Sequence, residues 1–187
     1  MSRPLALTLG EPAGIGPDIT LAVWLRRAEL NLAPFYVLAD PAVLRRRAER
    51  LAINVPISVV EPATAAATFK HALPVVDIGV TVTAEPGHPD ATSAPAALAA
   101  IDRAVRDVGS GAARAIVTNP VAKNVLYRSG FSEPGHTEYL AKLSEEMTGV
   151  SVHPVMMLWS PELAVVPVTI HLPLREVVAR LTTDLVA

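Results

Sequence analysis

Short apolar runs alternate along the chain with segments whose apolar residues recur at helical spacing. Continuous apolar runs of this length are typical of strands that are buried on both faces of a sheet. We therefore predict strands over residues 6–9, 35–39, 57–60, 74–82, 115–117, 155–159 and 163–170.

The segments between these runs carry helix start and stop signals. Asp40-Pro41 places a capping residue before a proline at the first helical position, and Asp18 can cap the first helix. An apolar stripe from Leu98 to Val108 ends before Gly109, a residue type that often follows a helix. We predict helices over residues 19–30, 41–52, 121–129, 137–148 and 173–181, and one that contains residues 98–108.

The alternation of strands and helices predicts the α/β class. The expected architecture is three-layer α/β/α, with helices on both faces of a largely parallel sheet. Only Ser160-Pro161-Glu162 separates the last two apolar runs, which favours a hairpin and hence a mixed sheet. A length of 187 residues suits one domain, or one domain with a fragment of another.

The composition argues against several classes of function. A net charge of -2 and a pI of about 6.2 give no indication of binding to nucleic acid or to a membrane surface. We interpret the main basic cluster, residues 45–47 with Arg50, as a solvated helix face. The lack of cysteine excludes disulfides and cysteine-ligated metal centres. No signal peptide or run of roughly 18 apolar residues is evident, so we expect a cytoplasmic protein.

Three loops lie at predicted strand ends, where ligands collect in open α/β sheets. The first, residues 10–18 (GEPAGIGPD), has glycines that permit a tight turn or the close approach of a ligand. Its spacing matches neither the dinucleotide fingerprint G-x-G-x-x-G nor a phosphate-binding loop that ends in Gly-Lys-Ser/Thr. The alternative is a tight strand-to-helix turn with Asp18 as its cap.

The second loop, residues 118–123 (TNPVAK), leads to Gly135-His136-Thr137-Glu138 at the start of a helix. A helix N-terminus presents free N–H groups and a positive dipole end, which suit a phosphate group. His136 and Thr137 would add side-chain donors there. The alternative has Thr137 as a helix cap and His136 as a surface residue. Lys123 could meet an anion, although a single lysine is usually solvated.

The third loop, residues 169–173, joins a predicted strand to a helix at His171. The positive helix end disfavours imidazolium, so we expect His171 to be neutral, which is the form that binds metal. A structural histidine is the alternative, since no close spacing of His, Asp and Glu resembles a complete metal site. The sequence also lacks the G-x-S-x-G elbow of serine hydrolases.

Taken together, four segments of the chain resemble the 4-hydroxythreonine-4-phosphate dehydrogenase family. They occur in the family's order, at comparable separations, and extend over nearly the whole chain. The resemblance implies a fold like that of isocitrate and isopropylmalate dehydrogenases. The segments are residues 10–18 (GEPAGIGPD), 117–123 (VTNPVAK), 134–138 (PGHTE) and 171–175 (HLPLR).

The resemblance implies an enzyme of pyridoxal phosphate biosynthesis. Such an enzyme oxidises the secondary alcohol of a small phosphorylated hydroxy acid with NAD or NADP, and the resulting β-keto acid then loses carbon dioxide. A divalent metal (zinc, magnesium or cobalt) would polarise the reacting hydroxyl. By motif matching, His136 and Thr137 fall on substrate-binding positions and His171 on the first of three metal-binding histidines. No catalytic residue is assigned.

The resemblance also implies a homodimer with a shared active site, and its members are longer than this chain. Residues 1–187 therefore correspond to the N-terminal α/β portion of a two-domain dehydrogenase, without the C-terminal part that holds the other metal histidines and most of the cofactor site. We expect the chain alone to be inactive. Two alternatives stay open: a paralogue that oxidises another four-carbon acid phosphate, and a non-catalytic truncated remnant.

Overall fold

The computed structural model of this chain describes residues 3–133, 135–170 and 172–186. The chain divides into two compact units, with the boundary between Val150 and Ser151. In the described part of the first unit the strands are β1 (Leu5–Thr8), β2 (Phe35–Ala39), β3 (Ile57–Val59), β4 (Leu73–Asp77) and β5 (Ile116–Thr118). Its helices are α1 (Gly16–Leu25), α2 (Pro41–Arg50), α3 (Pro62–Thr68), α4 (Ser93–Gly109), α5 (Lys123–Arg128) and α6 (His136–Thr148).

The five strands form one sheet in the order β3-β4-β2-β1-β5, and every neighbouring pair is parallel. Alternate residues of the central strand β2 belong to different apolar clusters. Val37 packs in a cluster that includes Trp24 of α1, whereas Leu38 packs in a cluster that includes Ala104 of α4. Helices therefore cover both faces of the sheet, which confirms the predicted α/β/α architecture. Burial of each large apolar side chain contributes about 1.5–3 kcal/mol.

A buried polar network fastens α4 to the sheet. The hydroxyl of Tyr36 donates to Asp107 Oδ2 at 2.6 Å, and Arg103 Nε donates to Asp107 Oδ1 at 2.8 Å. Burial, followed by the adjacent Asp107 carboxylate, raises the pKa of Tyr36 well above its usual range. The network satisfies a phenol and a carboxylate that would otherwise be costly to bury.

Two predicted element boundaries are wrong for identifiable reasons. Helix α1 begins at Gly16, with Pro17 in its first turn, so Asp18 lies inside the helix and does not cap it. The apolar run predicted to continue to residue 82 ends as a strand at Asp77, and Gly79 adopts a φ of +71° that breaks the extended chain. The predicted cap at Asp40 is confirmed, since its carboxylate accepts from Ala42 N at 2.8 Å.

The second unit contains the antiparallel strands β6 (Leu158–Trp159) and β7 (Ala164–Val165), and the helices α7 (Leu174–Arg180) and α8 (Thr183–Val186). The predicted hairpin therefore forms, but as a separate two-stranded sheet, and the main sheet is parallel throughout its described strands. None of the described residues of this unit is buried. Within the described ranges, no helix of the chain has the length and apolar character to cross a membrane.

Candidate functional site

The loops that follow β1 and β5 meet at the carboxyl edge of the sheet. The connection that leaves β1 runs through α1 to β2 on one side, whereas β5, on the other side of β1, is entered from β4 through α4. Such a reversal opens a crevice at the strand ends, where ligands of α/β proteins bind. Glu11 N donates to the carbonyl of Pro120 at 2.9 Å. The structure thus brings together two of the three predicted loops.

The contact between these loops depends on Gly10 and Asn119. Gly10 has a φ of +73°, and a Cβ there would lie 2.3 Å from Pro120 O. Asn119 is buried, and its Nδ2 donates to Thr8 O at 3.1 Å and to Thr20 Oγ1 at 3.0 Å. The backbone of one loop and the side chain of the other are therefore used for structure.

Arg47 holds the first loop in place from α2. Its side chain is 6% exposed, forms an ion pair with Asp18, and donates to Gly14 O at 3.0 Å and Pro12 O at 3.2 Å. The interpretation of residues 45–47 as a solvated face is therefore wrong for Arg47. No local pattern identifies this residue, because its partners lie in another segment of the chain. These contacts favour the structural alternative for the first loop.

His136 and Thr137 both lie in the first turn of α6. Gly135 occupies the cap position without a side-chain hydrogen bond, so Thr137 is not the cap, and its side chain is exposed. His136 Nε2 is buried and has no hydrogen-bond partner among the described residues. Buried polar atoms are nearly always paired, so this unpaired atom makes His136 a candidate for ligand contact.

His136 and Lys123 line the same small pocket. Burial, and then the positive charge of Lys123, lower the pKa of His136 below its usual 6.5. The imidazole is therefore neutral near pH 7 and offers one donor and one acceptor. Lys123 forms no ion pair with any residue that the structure describes. The other lining residues are Ile101, Val121, Leu126, Tyr127, Phe131 and Gly135.

Contacts with α4 fix the position of α6 and hence of His136. The hydroxyl of Tyr139 donates to Asp102 Oδ1 at 2.6 Å, and burial followed by this bond raises the pKa of Tyr139. The ring of Phe131 meets that of Tyr139 edge-on, with centroids 5.1 Å apart. One turn of α6 beyond His136 is therefore anchored by both a polar and an aromatic contact.

The described residues do not form a complete metal centre. His171, the predicted metal ligand, lies outside the described residues. Elsewhere in residues 3–133, 135–170 and 172–186, no group of three His, Asp or Glu side chains is arranged to hold a metal ion. These residues alone do not fit the metal that the family resemblance implies, and no chemical step can be derived through it here.

A dinucleotide does not fit the apolar groove beside β1 and β5. The groove is lined mainly by apolar side chains, among them Leu5, Leu7 and Val117. Its polar members Thr20 and Asn119 are hydrogen-bonded to each other at 3.0 Å. The pyrophosphate of NAD or NADP needs several free donors, so no step through the cofactor follows from these residues.

Comparisons with known proteins agree with the motifs. The family model described as "Pyridoxal phosphate biosynthetic protein PdxA" matches residues 31–187. The chain is 58% identical, over 99% of its length, to a 4-hydroxythreonine-4-phosphate dehydrogenase of Bradyrhizobium diazoefficiens, of which it covers 56%. The protein of the same name from Xanthobacter autotrophicus is 51% identical, with 97% of this chain and 52% of the relative covered.

The fold also matches a solved structure. The crystal structure of a 4-hydroxythreonine-4-phosphate dehydrogenase from Burkholderia phymatum is similar to the chain with a TM-score of 0.85 at 27% identity, and the match covers 100% of this chain and 55% of the other. The chain therefore spans about half the length of the relatives that it matches.

Proposed function

The chain belongs to the PdxA family of pyridoxal phosphate biosynthetic proteins, and from this premise we propose that it is part of an enzyme that oxidises 4-phosphooxy-L-threonine (4-hydroxythreonine 4-phosphate). In this proposal residues 1–187 are the N-terminal portion of a longer two-domain dehydrogenase, which acts as a homodimer with a shared active site. The relatives that carry this enzyme name are nearly twice as long as the chain, so the chain alone is expected to be inactive.

The proposed reaction is the oxidation of a secondary alcohol followed by decarboxylation. NAD or NADP would supply the hydride acceptor, and His171 would be one ligand of a divalent metal that supplies Lewis-acid polarisation of the hydroxyl. The new carbonyl lies β to the carboxylate, so it accepts the electron pair of the breaking carbon–carbon bond as carbon dioxide leaves. The described residues complete neither the cofactor site nor the metal site.

The buried, unpaired Nε2 of His136 is the observation that carries the proposal. A neutral imidazole at the start of a 13-residue helix can bind an oxygen of the substrate without adding a charge. Thr137, which is exposed on the same turn, adds a hydroxyl. We assign binding and orientation of the substrate to these two side chains, and no proton transfer.

The free edge of the sheet supports the two-domain part of the proposal. Among the described strands, β5 pairs only with β1, and Val117 is 43% exposed. Ile19 of α1 borders the same apolar groove and is 41% exposed. Exposed strand edges and apolar patches of this kind are normally covered. In the proposal, the remaining half of the same enzyme covers this edge.

A substrate panel on a longer product of the gene tests the proposed function. We expect NAD(P)H to form with 4-hydroxythreonine 4-phosphate but not with a four-carbon aldonate phosphate. Turnover of the aldonate phosphate alone would overturn the pyridoxal phosphate assignment in favour of a paralogue. The Thr137→Val variant should raise KM. Thr148→Val, at the opposite end of α6, is the matched control and should not.

A further inference from the structure

We propose that Glu11 is a specificity-determining residue whose carboxylate binds the ammonium group of an amino-acid substrate. The inference rests on the proposed function and extends it to the first loop. Glu11 follows the turn at Gly10, beyond the carboxyl end of β1. Its exposed fraction is 7%, so it is more than nine-tenths buried. It forms no ion pair with any residue that the structure describes.

Two backbone contacts hold Glu11 in place. Its backbone N–H donates to Pro120 O at 2.9 Å, and its Oε1 accepts from Ala13 N at 3.1 Å. The second carboxylate oxygen, Oε2, has no hydrogen-bond partner among the described residues. It is also not one of the sealed, unpaired side-chain atoms of these residues, which are Thr8 Oγ1 and His136 Nε2. Glu11 therefore holds one acceptor that a ligand can reach.

The structure of the loop does not explain the charge of Glu11. A buried carboxylate without a cation loses solvation that one hydrogen bond does not replace. Arg47, which holds the same loop, pairs with Asp18 and donates to two loop carbonyls. A glutamine would accept the same hydrogen bond from Ala13 N without the cost of a charge. A charge that breaks the rules of burial in this way is typical of a functional site.

The second loop connects Glu11 to the surroundings of His136. The backbone of Glu11 contacts Pro120, and Val121 is the next residue along the chain. Val121 and Lys123 line the small pocket in which His136 lies. The Glu11 carboxylate therefore belongs to the same part of the first unit as the side chains that we assign to the substrate.

An ammonium group suits this carboxylate better than a hydroxyl group. A cation offsets the buried negative charge, and a hydrogen bond between two charged groups is roughly twice as strong as a neutral one. The substrate named for the relatives is a phosphorylated hydroxythreonine, an amino acid with an α-ammonium group. A four-carbon aldonate phosphate has a hydroxyl at that carbon. Glu11 would therefore favour the amino acid over the sugar acid.

Calorimetric titration of the longer product of the gene with 4-hydroxythreonine 4-phosphate and with the four-carbon aldonate phosphate tests the inference. Glu11→Gln removes the charge but keeps an acceptor for Ala13 N. Glu49→Gln, at an exposed position of α2, is the matched control. We expect Glu11→Gln to bind the amino acid about 10- to 100-fold more weakly than wild type, and the aldonate phosphate within about twofold of wild type. Glu49→Gln should bind both ligands as wild type does.

Urea unfolding of the 187-residue chain separates this role from a structural one. Glu11→Gln should unfold at the same urea concentration as wild type or a higher one, because it removes a buried charge without a cation. Glu11→Ala also loses the bond from Ala13 N, so it should unfold at a lower concentration. Equally lowered midpoints for the two variants would show that the charge itself serves the fold, which overturns the inference.

Equal affinity of wild type and Glu11→Gln for the amino acid overturns the inference, as does a wild type that does not bind it. Equal losses for the two ligands overturn the choice of an ammonium group. The proposed function is judged separately, by oxidation. If the longer enzyme oxidises the substrate with the same KM in Glu11→Gln, the inference fails and the function stands. If binding of the amino acid depends on Glu11 but no NAD(P)H forms, the function fails and the inference stands.

Discussion

The backbone of Gly10 packs directly against Pro120, and a Cβ at Gly10 would lie 2.3 Å from the Pro120 carbonyl oxygen. The two residues belong to the loops that follow β1 and β5, which meet at the carboxyl edge of the sheet. The approach is possible because glycine has no Cβ and tolerates a φ of +73°. This one contact therefore determines how closely two of the family's motifs can approach each other.

Gly10→Ala is expected to destabilise the chain more than Gly79→Ala. Both glycines have a φ near +70°, so each substitution costs about 1–2 kcal/mol of backbone strain. A Cβ at Gly79 meets nothing within 4 Å, whereas a Cβ at Gly10 meets the carbonyl of Pro120, which adds about 1–3 kcal/mol. Urea unfolding of both variants measures the difference, and equal losses would refute the close contact.

Arg47→Met is expected to lower the free energy of unfolding by about 2–4 kcal/mol, because it leaves two loop carbonyls and Asp18 without their buried partner. Arg45→Met, in the same helix, removes an exposed arginine and should change stability by less than about 0.5 kcal/mol. Chemical denaturation of the two variants provides the test. A loss at Arg47 no larger than that at Arg45 would mean that the guanidinium does not hold the first loop.

His136 should make stability depend on pH. Its pKa in the folded chain is below the usual 6.5, so the unfolded chain binds the proton more readily. The contribution of His136 to stability is complete above pH 6.5 and is lost as the pH falls from there through the lower, folded pKa. We therefore expect wild type to lose more stability than His136→Gln over this range, as measured by denaturation at several pH values. Parallel curves for the two proteins would contradict the burial of this imidazole.

Tyr139→Phe should destabilise the chain by about 1–2 kcal/mol, because it removes the hydroxyl that donates to Asp102 at 2.6 Å. The bond joins α6 to α4 and so supports the turn that carries His136. In an Asp102→Asn background the same substitution should cost less, since the charged acceptor is already gone. A double-mutant cycle by thermal or urea unfolding measures this coupling. Strict additivity would show that the two side chains do not interact.

The sequence predicted the elements of the first unit well where strong local signals coincide. The strand over residues 35–39 was predicted with its observed bounds, because a fully apolar run ends at Asp40-Pro41, which caps and opens the next helix. The α/β/α fold followed from the order of these elements. Helix α3 was missed because its short alanine-rich segment has no apolar stripe.

Other features depend on contacts that a local pattern does not contain. Pro167 lies inside the run predicted as a strand over residues 163–170, and β7 ends before it, at Val165. A proline has no N–H to donate to a neighbouring strand, so the strand predicted from the apolar run is longer than the observed one. The burial of Arg47 depends on a segment far away in the sequence. For the same reason the sequence could propose His136 as a ligand position, but could not show that its Nε2 lacks a partner.

The proposed function is tested most directly by an assay of NAD(P)-dependent oxidation of 4-hydroxythreonine 4-phosphate, with added divalent metal, on the 187-residue chain and on a longer product of the same gene. We predict NAD(P)H formation by the longer form and none by the 187-residue chain. Activity in the 187-residue chain would contradict the assignment of the metal and cofactor sites to the rest of the enzyme. No activity in either form, with both correctly folded, would contradict the proposed reaction itself.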